Sequence, residues 1–235
     1  MTTTIVCFVF QGDSLTFGVQ GYMWNLFGAL PASIEDSVRW MYPGYGVANA
    51  IGRNISASGT GLPDFVNNAA TKADNLIREN VGAAHITGRV NTRPRYRWVY
   101  GLMPGSNDNW IQRYSTVNDY ADAVGAHFLA RRNAGFDGCI LVFPFPRDDA
   151  TSTHSDTNRQ AFISRVTSAG WQSTHGITTA CRFDQDATMG YFGSWTDHPT
   201  LWNSDHVHPT PAGWATATIT SAFSLAVNAE ISRLS

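Results

Sequence analysis

Residues Thr4 to Phe10 read Thr-Ile-Val-Cys-Phe-Val-Phe, an unbroken run of apolar, β-branched and aromatic positions. A run this short and this apolar suits a strand buried on both faces of a parallel sheet. That constrains the chain strongly, because parallel neighbours require crossover segments that cover both faces. The run stops at Gly12-Asp13-Ser14-Leu15-Thr16-Phe17-Gly18. A buried strand ending there delivers the Ser14 hydroxyl to the carboxyl edge of the sheet, where open α/β sheets hold their ligands.

The rest of the chain alternates in the way such a sheet needs. A long aromatic segment from Tyr22 to Tyr45 follows the turn. Gly46 to Ile55 is expected to form a short helix, and a Ser/Gly loop then runs to Pro63. Asp64 to Asn67 reads as a short strand, Asn68 to Asp74 as a turn, and the following residues as a helix through Arg78. Tyr96 to Met103 is a third strand, closed by Pro104-Gly105-Ser106-Asn107-Asp108. Val117 to Asn133 has helical spacing, with Tyr120, Ala121, Val124, Phe128 and Leu129 on one side. Gly138 to Phe143 is a clear strand stopped by prolines. A helix from Asp156 to Trp171, a weaker strand near Ile177 to Phe183 and a last helix from Pro211 to Ile231 complete the pattern. Thr210 is the expected N-cap of that last helix. Strands alternating with helices imply one α/β domain over residues 1–235, with three layers and a mostly parallel sheet.

Composition excludes several function classes. The 235 residues carry a net charge of −2, which offers no basic face for nucleic acid or anionic lipid. Hydrophobic content is 43%, yet no apolar run approaches the roughly 18 residues of a membrane span. Cys7, Cys139 and Cys181 form no disulfide framework, and they are expected to act as small buried hydrophobes. No basic stretch or apolar segment precedes the first strand, so no signal peptide is expected in this form. The compartment is left open, with an extracellular location favoured over the cytoplasm, and the oligomeric state is not legible.

Chemistry gathers at three points. Ser14 needs a base to take its proton before it can attack a carbonyl, and His208 is a neutral-pH candidate. The Asp205-x-x-His208 spacing puts both side chains on one turn, where Asp205 can orient the imidazole and stabilise its charged form. Asn107, in a turn directly after a strand, offers a side-chain amide to a developing oxyanion at the same edge. Taken singly, each residue has an ordinary reading: Ser14 as a helix cap, Asp205 and His208 as a loop ion pair, Asn107 as a turn former. Asp13 and Asp108 are assigned to supporting hydrogen bonds, and His206 to a site wall or the surface.

These stretches resemble the GDSL, or SGNH, family of serine hydrolases, in order and over nearly the whole chain. Gly12-Asp13-Ser14-Leu15 is similar to the family's nucleophile block, Gly105-Ser106-Asn107-Asp108 to its Gly-x-Asn-Asp block, and Asp205-His206-Val207-His208-Pro209 to its Asp-x-x-His-Pro block. A fourth block departs from the pattern: Asn68-Ala69-Ala70-Thr71-Lys72-Ala73 places Ala73 where the family has a glycine that donates its amide to the oxyanion. The resemblance implies a flavodoxin-like fold with a five-stranded parallel sheet. It also implies a Ser14–His208–Asp205 triad, an oxyanion hole from Ser14, Ala73 and Asn107, and no metal or organic cofactor. The expected substrate is a small-molecule or polysaccharide ester, with short acyl esters of carbohydrates preferred over lysophospholipids, thioesters or aryl esters. Tyr191, Trp195 and Trp202, just ahead of the Asp–His turn, are expected to bind it.

Two other chemistries and one inactive form compete with this reading. In the α/β-hydrolase fold the serine sits in Gly-x-Ser-x-Gly and the Asp and His come from separate loops, unlike the single turn here. A metal site would use Asp197, His198, Asp205, His206 and His208, but it leaves Ser14 and Asn107 unexplained. A catalytically inactive carbohydrate-binding module is the alternative outside enzymes.

Overall fold

Successive residues of each long strand divide between two apolar layers. In β1 (Thr4–Gln11) Val6, Phe8 and Phe10 face one layer, while Cys7 and Val9 face the other. Strand β3 (Arg95–Leu102) divides the same way, with Val99 opposite Trp98, Tyr100 and Leu102. In β4 (Gly138–Val142), Ile140 and Val142 lie opposite Cys139 and Leu141. This period of two, apolar on both sides, is the signature of a sheet covered on both faces. The computed structural model describes residues 4–13, 15–16, 52–54, 61–86, 95–104, 107–108, 114–147 and 156–234.

Helices supply both covers. On one side α7 (Ala217–Leu234) packs Ile219, Phe223 and Val227 against the sheet. On the other, α1 (Leu62–Ile86), α2 (Val117–Asn133) and α3 (Asp156–Val166) contribute Phe65, Phe128 and Phe162 among others. The fold is therefore three-layered α/β/α, as the sequence predicts. Two short strands, β2 (Gly52–Asn54) and β5 (Thr179–Cys181), complete a five-stranded parallel sheet of order β2-β1-β3-β4-β5. This is the flavodoxin-like order, and it reverses direction between β1 and β3. The carboxyl ends of these two strands meet where Gln11 pairs with Leu102. Cys7, Cys139 and Cys181 are buried and form no disulfide. No described helix is long and apolar enough to cross a membrane.

Several boundaries differ from the expectation. Gly52 to Asn54 forms an edge strand on β1, where a short helix was predicted; residues 46–51 and 55 lie outside the described residues, as does the aromatic segment Tyr22 to Tyr45. The strand and turn predicted over residues 64–74 are instead part of α1. That helix starts early because its first amides find acceptors: Gly61 N–H donates to Asp64 Oδ2 at 3.0 Å, and Leu62 N–H donates to Asp108 Oδ1 at 2.8 Å. Pro63 then costs nothing in a first turn whose amides have no intrahelical partner. The predicted 156–171 helix is two, α3 and α4 (Ala169–Thr174), with Ser168 capping the second through Trp171 N–H at 3.2 Å. After the one-turn α5 (Ser194–Asp197), the last helix is also split, into α6 (Pro211–Trp214) and α7, with Thr210 accepting from Gly213 N–H as the cap of α6.

Candidate active site

The turn after β1 is tightly fastened on both sides of Ser14, which itself lies outside the described residues. Asp13 Oδ1 accepts from Leu15 N–H at 2.9 Å, and the Asp13 carbonyl accepts from Thr16 N–H at 3.0 Å. Asp13, Leu15 and Thr16 are all buried. Beneath them, Gln11 is locked by a polar chain: Tyr100 O–H donates to Gln11 Oε1 at 2.5 Å, and Gln11 Nε2 donates to the Phe65 carbonyl at 3.3 Å. His127 Nε2 lies 2.8 Å from the same phenol oxygen. Since that oxygen has given its only proton to Gln11, His127 must donate, which fixes the Nε2–H tautomer. Burial, with help from Arg131, pushes His127 down to about 3, so it is neutral.

Asn107 and Asp108 follow β3 across the switch point. Asn107 is half-buried, while Asp108 is fully buried and joins three elements. Its Oδ1 takes the Leu62 amide at the start of α1, and its Oδ2 takes the Tyr120 hydroxyl of α2 at 2.6 Å. The supporting role assigned to Asp108 thus extends well beyond its own turn.

The third loop carries the closest geometry. Asp205 Oδ2 lies 2.7 Å from His208 Nδ1, while Oδ1 accepts from Val207 N–H at 2.9 Å and from His208 N–H at 3.0 Å. Burial alone would push the Asp205 carboxyl up; the His208 and Val207 amides and the His208 ring outweigh it and hold it below the usual carboxylate range. With Nδ1 engaged by the carboxylate, Nε2 is the nitrogen available as a base. The loop closes on itself through an isolated bridge between Trp202 and Pro209 and through Asn203 N–H to the His208 carbonyl at 2.9 Å. Leu15 after Ser14, Met103 after β3 and Trp202 beside this loop belong to one core cluster.

Two sequence expectations need correcting. Ala73 is buried in the fourth turn of α1, where its amide belongs to the helical ladder and its side chain packs in the core, so it is no oxyanion donor. The strand that ends beside β1 at this edge is β2, at Asn54 opposite Phe10. Trp195 and Trp202 are also core residues, meeting edge-to-face at 6.1 Å, and Trp202 packs against Phe145. Tyr191 is half-exposed and donates its hydroxyl to Asp197 Oδ2 at 2.7 Å. The aromatic of this segment that stands in solvent is Phe192, 55% exposed and set edge-on to Trp195 at 5.0 Å.

Among the described residues, no group of three His, Cys, Asp or Glu side chains is arranged to hold a metal ion. No protein-family model and no curated protein matches the sequence. Solved structures do match in shape. LAE5, an alpha/beta hydrolase enzyme from the metagenome of Lake Arreo, Spain, is 20% identical, with 97% of each chain covered and a TM-score of 0.57. Axe2, an acetylxylan esterase from Geobacillus stearothermophilus, is 18% identical over 96% of this chain and 95% of its own, with a TM-score of 0.56. A lipase/acylhydrolase from Enterococcus faecalis is 15% identical, with 97% of each chain covered and a TM-score of 0.56. At these identities the likeness is one of fold: this chain has the three-layer α/β/α architecture that those hydrolases share.

Proposed function

We propose that this chain is a serine carboxylic-ester hydrolase working through an acyl-enzyme on Ser14. The observation that carries the reading is the 2.7 Å contact between Asp205 and His208, a carboxylate-oriented imidazole. Support comes from the position of the other two blocks, which follow β1 and β3 at the point where the strand order reverses. In this mechanism His208 Nε2 takes the Ser14 proton as Oγ attacks the ester carbonyl, and the Asp205 carboxylate stabilises the imidazolium. The Asn107 side-chain amide and the Ser14 backbone amide hold the oxyanion. His208 then returns the proton to the leaving alcohol, and water, activated by the same imidazole, releases the acid.

For the substrate we propose a short acyl ester, acetyl foremost, on a carbohydrate. Axe2, among the proteins of similar fold, is named as acting on acetylxylan. The half-exposed Tyr191 and the exposed Phe192 add faces on which a sugar ring can lie. The whole chain is proposed to act as one domain, without metal or organic cofactor. The test is hydrolysis of p-nitrophenyl acetate by the wild type and Ser14→Ala. Undiminished turnover by the variant would overturn the mechanism. A rate that climbs from acetate to octanoate would point to a lipase instead, and acetate release from acetylated xylan would support the sugar ester.

A further inference from the structure

The Asp205–His208 contact depends on an unusual backbone between its two partners. One carboxylate takes both the Val207 and His208 amides on Oδ1 and the His208 ring on Oδ2. For that to happen the chain must fold back sharply within three residues. The residue that turns it is His206, at φ +53, the only described non-glycine residue with positive φ. Its own amide closes the preceding turn by donating to the Asn203 carbonyl at 2.9 Å. Left-handed backbone is disfavoured for residues with a Cβ, so it persists only where the surroundings impose it.

The ring of His206 provides that imposition. It lies nearly parallel to Trp195, with planes 13° apart and centroids at 6.1 Å. Trp195 is buried in the core and braced edge-on by Trp202, whose backbone bridges to Pro209 at the end of the same loop. The turn is therefore held in two places, by the His206 ring on Trp195 and by the backbone pairing of Trp202 and Asn203 with Pro209 and His208. It needs both, because Asp205 has a side chain 47% exposed to water and His208 one of 17%. An exposed acid–imidazole pair holds a fixed geometry only when the backbone enforces it.

We infer that His206 is a positioning residue: its left-handed backbone presents the two amides to Asp205, and its ring, seated on Trp195, keeps the Asp205–His208 pair aligned. This inference rests on the esterase reading given above. In this role His206 acts through Asp205, whose Oδ1 takes the Val207 and His208 amides.

The test compares His206→Asn, which tolerates left-handed backbone, with His206→Gly, which permits it without restraint, and His206→Val, which opposes it. The kcat on p-nitrophenyl acetate should fall in the order wild type, Asn, Gly, Val, with the last lower by about tenfold or more and KM within about twofold. In parallel, the downfield Nδ1–H proton resonance of His208 should weaken and exchange faster in the same order, measured also in the Ser14→Ala background. Wild-type kcat in folded His206→Val would overturn the inference. So would an unchanged His208 resonance accompanied by a kcat loss that only tracks the folded fraction. The resonance is read without turnover, so a failure of the esterase reading would show in Ser14→Ala kinetics while leaving this arm decisive.

Discussion

Asp205 binds His208 twice, through the ring Nδ1 at 2.7 Å and through the backbone amide at 3.0 Å. The ring contact orients the base, and the amide contact fixes the carboxylate that does the orienting. Replacing Asp205 by Ala removes both, and kcat for a short p-nitrophenyl ester is expected to fall by roughly 10²- to 10⁴-fold. Asp205→Asn should retain the amide contacts yet still lose most of the rate, because a neutral amide cannot stabilise the imidazolium. A drop of less than threefold in either variant would remove Asp205 from the mechanism. Because Asp205 is held below the ordinary carboxylate range, it stays ionised across neutral pH. The acid limb of kcat/KM should therefore carry no ionisation from Asp205.

A second expectation concerns acid stability. His127 has its folded value pushed down to about 3, first by burial and then by Arg131. Its ordinary value is near 6.5, so below that pH the unfolded chain takes up a proton that the folded one refuses. The stability contributed by the neutral ring is present in full above about pH 6.5 and is lost as pH falls toward 3, at up to roughly 1.4 kcal/mol per pH unit. Urea unfolding at pH 7 and pH 5 should differ accordingly. His127→Gln, which keeps a donor for Tyr100, should flatten the difference; an identical pH dependence in that variant would refute the assignment.

Asp108 holds the start of α1 and the side of α2 to the loop that carries Asn107. Asp108→Ala leaves the Leu62 amide and the Tyr120 hydroxyl buried without this acceptor. Each orphaned group costs about 1–3 kcal/mol, so for the two together unfolding free energy should fall by roughly 2–6 kcal/mol. Tyr120→Phe removes one bond only and should cost less. If Asp108→Ala unfolds at the wild-type urea midpoint, the link is not structural.

What the sequence made legible follows the range of the interactions. Val117–Asn133 is a helix over the span its periodicity predicts, and β1 and β4 declare themselves by apolar runs with local stops. Asp205 and His208 were readable because three residues separate them. The misses come from distant partners. Gly52-Arg53-Asn54 has no strand propensity and becomes a strand by pairing with Phe8 to Phe10. The start of α1 is fixed by Asp108, 46 residues away, so Asp64 to Asn67 looked extended when read locally. That error carried Ala73 to the sheet edge when it belongs inside a helix. Trp195 and Trp202 looked like binding residues because aromatic content does not reveal which faces the core will cover.

The last expectation tests the turn that presents Ser14. A Cβ added to Gly12 would stand 2.1 Å from Thr16 Oγ1 and 2.7 Å from Thr16 Cβ. Thr16 is fully buried and its amide is bonded to the Asp13 carbonyl, so it cannot swing away without opening the turn. Overpacking of this kind costs about 1–3 kcal/mol and moves backbone. Gly12→Ala should therefore lower kcat by roughly tenfold or more, with a smaller proportional effect on KM, since near-attack geometry tolerates little displacement. Adding Thr16→Ala removes the 2.1 Å clash but keeps the 2.7 Å one, so the double variant should recover only part of the rate. Full recovery would mean that the hydroxyl alone was in the way, and a Gly12→Ala enzyme with wild-type kcat would mean that the Ser14 turn is not set by this contact at all.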